Sequence, residues 1–180
     1  MVEIIQKNGV KLTSTELDQV NRAKAREFEV PPMEKEQVEN SVFFLLKKDE
    51  DILAIGQLSK IEPISFDNVN YSVMGIGGII ANERGKGYGK QIMQTITKHL
   101  INNNKTGVGF CETHNKGFYE KAGYKVDTSL IKRFVFSRNG KEEINTDDDC
   151  VLYLDASDNF VKNVLSKPNE KVNLPQPPDW

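Results

Sequence analysis

The chain has 180 residues, with 24 basic and 26 acidic side chains and a formal charge of −2, the size of one domain able to bury a core. With no basic block and no interleaving of aromatic and basic residues, it carries no electrostatic footprint for nucleic acid. Cys111 and Cys150 lack metal-site spacing with His99 or His114 and are too few for a disulfide framework, so reduced thiols are expected. The first residues hold no apolar run long enough for a signal peptide or a membrane span. The expectation is a cytoplasmic protein with small partners and no membrane contact.

Residues 2 to 12 alternate as a strand would, and Asn8-Gly9 could turn it back. Thr13-x-x-Glu16 reads as a capping box opening a helix, along which Leu17, Val20, Lys24 and Phe28 follow at helical spacing. Val30-Pro31-Pro32 ends it, because proline excludes helical geometry from the residue before it. A short helix over residues 34 to 39 follows. Residues 41 to 47 and 52 to 61 read as strands joined by the charged turn 48 to 51. Pro63 and Asn68-Val69-Asn70 are expected to interrupt the pattern before a third strand over 71 to 81, giving an antiparallel meander. Gly75, Gly77 and Gly78 weaken that third strand, and close approach of a ligand to its backbone is the preferred reason.

The strand runs into Arg84-Gly85-Lys86-Gly87-Tyr88-Gly89-Lys90 and then a helix, an order of parts suited to an anion. The first N–H groups of a helix lack intrahelical partners and lie at the positive end of its dipole. Glycine at 85, 87 and 89 permits positive φ and removes the Cβ atoms that would hold a ligand away. A Walker A loop is excluded, since Arg84 stands where its first glycine belongs and Gln91 where its hydroxyl belongs. The dinucleotide pattern G-x-G-x-x-G is not met at Gly75, Gly77, Gly85 or Gly87. Beyond the loop, Tyr88, Ile92, Met93, Ile96 and Leu100 mark the core face of a helix that Asn102-Asn103-Asn104 stops. Residues 106 to 111 form a strand expected parallel to the glycine strand, because a helix crosses between them. A short helix runs from near Asn115 to Gly123. Strands over 131 to 137 and 150 to 154, a turn at Asn139-Gly140, an acidic loop at 147 to 149, a small helix over 158 to 165 and an extended, mobile tail over 166 to 180 complete the reading.

Arg84-x-x-Gly87-x-Gly89 resembles the acetyl-CoA pyrophosphate loop of the GNAT superfamily of N-acetyltransferases. Phe118-Tyr119-Glu120-Lys121-x-Gly123-Tyr124 resembles that family's segment whose tyrosine lies beside the CoA sulfur. The likeness covers residues 71 to 126, and the branch containing aminoglycoside-type acetyltransferases is its looser form. It implies an α/β (α+β) fold over residues 1 to 165 with a tail over 166 to 180. The implied sheet is mixed, mostly antiparallel, and splayed between the glycine strand and the Cys111 strand. Acetyl-CoA would be held by the backbone of Ile79, Ile80 and Ala81, by Arg84, Gly85, Lys86, Gly87, Tyr88, Gly89 and Lys90, and by Asn115 and Phe118. Two departures stand out. Only Asn82 and Glu83 separate Ala81 from Arg84, and Glu112 occupies the place where the family often has asparagine seven residues before the tyrosine.

Amide formation from a thioester needs a neutral amine, stabilisation of the oxyanion and a proton for the departing thiolate. Tyr119 is the candidate acid, its alternative being a core aromatic or a passive CoA contact. Glu112 is the candidate base, its alternative a solvated carboxylate; His114 could do the same work but reads as a surface residue. Cys111 lacks an evident paired base, which favours direct transfer in a ternary complex. The implied activity is transfer of acetyl from acetyl-CoA to a primary amine of a small molecule. The alternatives are a protein or peptide amine, or a CoA-binding regulatory module without catalysis. The C-terminal part over residues 131 to 165 and residues 28 to 38 are expected to wall the acceptor pocket, and a homodimer is left open.

Overall fold

The computed structural model describes residues 1–178 and 180, and the side chains of all of these except Glu62. Its strands are β1 (Val2–Asn8), β2 (Ser41–Lys48), β3 (Asp51–Phe66), β4 (Val69–Ala81), β5 (Thr106–Cys111), β6 (Lys125–Asp127), β7 (Phe134–Arg138), β8 (Lys141–Ile144), β9 (Cys150–Leu154) and β10 (Val172–Asn173). Its helices are α1 (Ser14–Phe28), α2 (Tyr88–Asn102), α3 (Lys116–Lys121) and α4 (Phe160–Ser166). Hydrogen bonding orders seven strands as β1-β2-β3-β4-β5-β9-β6 and three more as β10-β7-β8. In the larger sheet the β4–β5 pair is parallel, while β1–β2, β2–β3, β5–β9 and β6–β9 are antiparallel. This is the mixed, mostly antiparallel α+β architecture expected.

Two compact units divide the chain, one of residues 1–59, 77–96 and 180, the other of residues 60–76 and the described residues from 97 to 178. In the first, α1 begins as its sequence dictates: Glu16 N donates to Thr13 Oγ1 at 3.1 Å and Thr13 N donates to Glu16 Oε2 at 3.0 Å. The helix ends at Glu29, which takes a left-handed conformation ahead of the two prolines. Val20 and Ala23 of α1 pack with Leu12, Val38, Phe43, Leu45, Ile52, Ile55 and Ile80 into one buried cluster. Ile92, Met93 and Ile96 of α2 are fully buried. A Cβ at Gly56 would come within 2.5 Å of Ile92 and 2.7 Å of Ile96, so β3 uses a glycine to let α2 lie close.

In the second unit Val73–Ile76 pair with Thr106–Gly109, and β5 then pairs with β9 from Gly107↔Leu154 to Cys111↔Cys150. Phe110, Phe134, Phe160 and Tyr71 form a chain of ring contacts with centroids 4.8 to 6.4 Å apart. The β4–β5 register ends at Ile76↔Gly109, although β4 continues to Ala81 and β5 to Cys111.

Several local expectations are corrected. Pro63 lies inside β3, past the last β2 pair at Ser41↔Ser59, where its missing N–H removes nothing from the β2 ladder. The turn after β3 is made by Asp67 and Asn68, both with positive φ, rather than by residues 68 to 70. Residues 9 to 11 form a 3-10 turn in place of a hairpin, and Ile131–Arg133 is likewise 3-10, with β7 starting only at Phe134. β8 was not foreseen, because Glu142 and Glu143 mask its strand pattern. Val172–Asn173, expected in an extended tail, pair in parallel with β7.

One buried charge cluster ties the first unit together. Glu16, 3% exposed, accepts from Lys7 Nζ at 2.8 Å and from Lys47 Nζ at 3.2 Å. Desolvation alone would push its carboxyl up, but the hydrogen bonds from Lys7, Thr13 N and Lys47 outweigh it and hold the group at about 2. A depressed carboxyl stabilises the fold above its unfolded value, and that stabilisation is lost as pH falls toward 2. Glu16→Gln leaves two ammonium groups short of a carboxylate and is expected to cost about 3 kcal/mol at pH 7. In urea melts across pH, the gap between the variant and the parent should narrow between pH 5 and 2; a gap that stays constant would disprove the linkage.

Candidate functional site

In the first unit the candidate anion loop is the direct continuation of β4. Ile80 is buried in the core cluster and holds the strand end down. Asn82 then fixes where the chain leaves the sheet: its N–H donates to Leu53 O at 2.9 Å, its Nδ2 donates to Ile52 O, and its Oδ1 accepts from Arg26. The close spacing of Ala81 and Arg84 is therefore met by an anchored asparagine. From Glu83 to Gly87 the chain is exposed.

Gly85 and Gly87 have φ of 78° and 74°, and a Cβ at either would meet nothing within 4 Å. These positive angles require glycine for conformation, and the space around them is open to a ligand. Gly89, expected to share this role, lies instead in the first turn of α2. Gln91 N donates to Gly87 O at 3.1 Å, so the helix ladder starts at Gly87. The N–H groups of Tyr88, Gly89 and Lys90 are then among those that a helix start leaves without intrahelical acceptors. Arg84, Lys86 and Lys90 are exposed around them, Arg84 Nη2 standing 3.4 Å from Glu27. A diphosphate fits this loop by charge, by donor supply and by room.

The glycines of β4 serve two ends. Gly78 has a φ of 58°, a left-handed kink beside the buried side chain of Gln57. Gln57 is held by Lys24 Nζ at 3.1 Å and donates to Ser41 and Ser59. Gly77 admits a close backbone approach, here by Trp180 of this chain.

In the second unit, β5 ends at Cys111 and the chain turns through a 3-10 segment, Thr113–Asn115, into α3. Asn115 N donates to Glu112 O at 2.9 Å, which places Asn115 as the residue before α3, with no side-chain cap. Gly123, with φ 96°, closes the helix while its N–H and that of Tyr124 donate to Glu120 O and Tyr119 O. Thr97 Oγ1 donates to Ala122 O and lies 3.2 Å from the Tyr124 hydroxyl, which pins the end of this helix. The rings of Phe118 and Tyr119 meet edge to face with centroids 5.1 Å apart.

Burial first, then the neighbouring Cys111, Asp148 and Tyr124, push the Tyr119 phenol well above its usual range, so it keeps its proton. Glu112 is exposed and stands 2.9 Å from His114 Nδ1. The Cys111 thiol is pushed up to about 12, chiefly by burial and next by Cys150 across the strand pair. A thiol held protonated is a poor nucleophile, which argues against acyl transfer through Cys111.

Asp148 and Asp149 join this region although the sequence presents them only as an acidic loop. Antiparallel pairing of β9 with β5 brings the loop beside the Thr113 turn, where the Asp149 carboxylate accepts from Thr113 N at 2.6 Å and from Thr113 Oγ1 at 2.8 Å. Asp148, held by Asn145 at 2.8 Å, is pushed up by burial and then by Glu112 and its flanking acids, against the pull of Asn145. No signal in the chain order could have found them, since it is sheet pairing that makes them neighbours. Among the described residues no three His, Cys, Asp or Glu side chains group as a metal site, and no helix is long and apolar enough to cross a membrane.

Comparison with known proteins agrees with this fold. An Escherichia coli protein, ElaA, superposes with a TM-score of 0.60 at 16% identity, covering 85% of this chain and 99% of its own. An acyl-CoA N-acyltransferase from Pseudomonas aeruginosa gives 0.61 at 16% identity with the same coverage. A Bacillus subtilis acetyltransferase solved in complex with CoA gives 0.53 at 19% identity over 86% of this chain and 99% of its own. At such identities these likenesses speak for the fold. No curated protein sequence matches the chain. The model of the acetyltransferase (GNAT) family matches residues 13–124, a span that contains the capped first helix, the glycine loop and the Tyr119 segment, and the chain belongs to that family.

Proposed function

We propose that this GNAT-family acetyltransferase moves acetyl from acetyl-CoA directly to a primary amine of a small molecule. The observation that carries the reading is the open loop at Gly85 and Gly87, both left-handed, emptying into the start of α2. Arg84, Lys86 and Lys90 would neutralise the diphosphate, and the amides of residues 85 to 90 would hold its oxygens. The backbone of Ile79, Ile80 and Ala81 would pair with the amides of the pantetheine arm, a contact indifferent to side-chain identity. Asn115 and Phe118 would line the approach to Tyr119. Bound acetyl-CoA supplies an activated thioester carbonyl.

Tyr119 would give its phenolic proton to the sulfur as the carbon–sulfur bond breaks, and the new carbon–nitrogen bond would leave a proton to be taken from the amine. Glu112 would accept it, directly or through water. The carboxylates of Asp148 and Asp149 add negative charge on the same side, which favours a cationic amine as it arrives. A half-buried phenol that resists ionisation is a proton donor over the whole working range, and a protonated Cys111 leaves direct transfer as the simpler course.

Thiol release from acetyl-CoA, measured against small amines and against peptides, tests the acceptor class; faster turnover on peptides would reverse the assignment. Tyr119→Phe should lower kcat by about 100-fold while calorimetric affinity for acetyl-CoA stays the same. Full turnover in that variant would remove Tyr119 from the chemistry. Because its phenol is raised, the rate of the parent should climb with pH as the amine loses its proton and show no fall at pH 10. Gly87→Val, a β-branched residue forced to positive φ in the loop, should weaken acetyl-CoA binding by at least about tenfold. Unchanged affinity would mean that the loop is not the diphosphate site.

A further inference from the structure

The last β4–β5 pair is Ile76↔Gly109, and the next residue of β4 is Gly77. A Cβ built on Gly77 would lie 1.7 Å from the carbonyl oxygen of Trp180 and 3.1 Å from Cδ1 of its indole. Peptide backbone therefore rests directly on the strand at a place that any side chain would close. Trp180 is half-buried and belongs to the same compact unit as residues 77–96. Farther back, Leu174 N donates to Val135 O at 2.7 Å and the Leu174 side chain is buried, which anchors the segment leading to it. Pro175, Pro177 and Pro178 follow, and prolines restrict the backbone freedom that must be given up when the segment is ordered.

We infer that Trp180 is an occupant of the acyl-CoA strand in the resting protein, seated on Gly77 and displaced when acetyl-CoA lies along residues 77–81. The inference rests on the proposed acetyl-CoA reading and adds to it a regulation of the same strand. Gly77 lies two residues before Ile79 on the strand that the pantetheine arm would follow, so Trp180 stands where that arm would continue past Ile79, and its seating and that of the ligand are alternatives. The ligand then binds only the fraction of molecules in which Trp180 has left, and its apparent affinity falls by that fraction. The contact explains why Gly77, which has an ordinary backbone conformation, is glycine: a seated Trp180 needs the missing Cβ.

Trp180 is the sole tryptophan of the chain, so its emission reports on this contact without a label. A seated indole emits to the blue of one free in water. Saturating acetyl-CoA should move the emission of the parent protein to the red, and Trp180→Ala should tighten the calorimetric Kd for acetyl-CoA by about five- to tenfold, for a resting state 80 to 90% seated. Gly77→Ala, without ligand, should give the same red emission, because the added methyl cannot coexist with the Trp180 carbonyl. Binding heat with an unmoved emission maximum and an equal Kd in Trp180→Ala would overturn the inference and leave the proposed function standing. Absence of binding heat in both the parent and Trp180→Ala would overturn both.

Discussion

The candidate site depends on a strand that ends in a rigid place and then releases its backbone. Ile80 is sunk in the core and Asn82 is tied to Leu53, Ile52 and Arg26, so the last fixed point of β4 lies two residues before Arg84. Beyond it, Gly85 and Gly87 take conformations that other residues adopt only with strain, and the ladder of α2 begins at once. A loop anchored on one side by a buried strand and on the other by a helix with fully buried Ile92, Met93 and Ile96 can be open and still be ordered. Its amides would then meet the proposed diphosphate with little further loss of entropy.

The Tyr119 segment follows a different logic, since what matters there is the protonation state of the half-buried Tyr119 and the buried Cys111. Tyr119 and Cys111 are both pushed toward their neutral forms, first by burial and then by the acidic groups around them. The Thr113 turn and the Asp149 carboxylate hold the end of β5 to the start of β9, and the Thr97, Ala122 and Tyr124 contacts hold the far end of α3. A helix of six residues could not keep its own shape in water; it is ordered by these ties at its two ends. The result is a phenol that stays a donor and a thiol that stays inert.

The buried ion cluster at Glu16 shows how the first unit tolerates charge in its interior. One carboxylate serves the α1 cap and two ammonium groups at once, so that its desolvation is offset by three kinds of donor. The neighbouring Lys24, Gln57, Ser41 and Ser59 form a second polar chain beside the kink at Gly78. Buried polar groups of this sort specify geometry, because each has few alternatives that satisfy it.

The chain order carried whatever follows from local chemistry. The capping box at Thr13, the proline stop after α1, the apolar face of α2 and the left-handed glycines at 85 and 87 were all legible, because each is decided within a few residues by hydrogen-bond supply, ring closure or a missing Cβ. The parallel β4–β5 pair was legible too, since a crossover helix leaves that hand and direction as the usual solution. What lay outside it depended on partners distant in sequence. Pro63 is accommodated because the β2 ladder stops at Ser59, Asp149 joins Thr113 because β9 pairs with β5, and Gly77 is occupied by a residue more than a hundred positions away. Sequence specified the loop that can hold an anion; tertiary structure alone decided which groups surround Tyr119 and what rests on the strand, because contacts between remote segments are set by packing and pairing, not by local propensity.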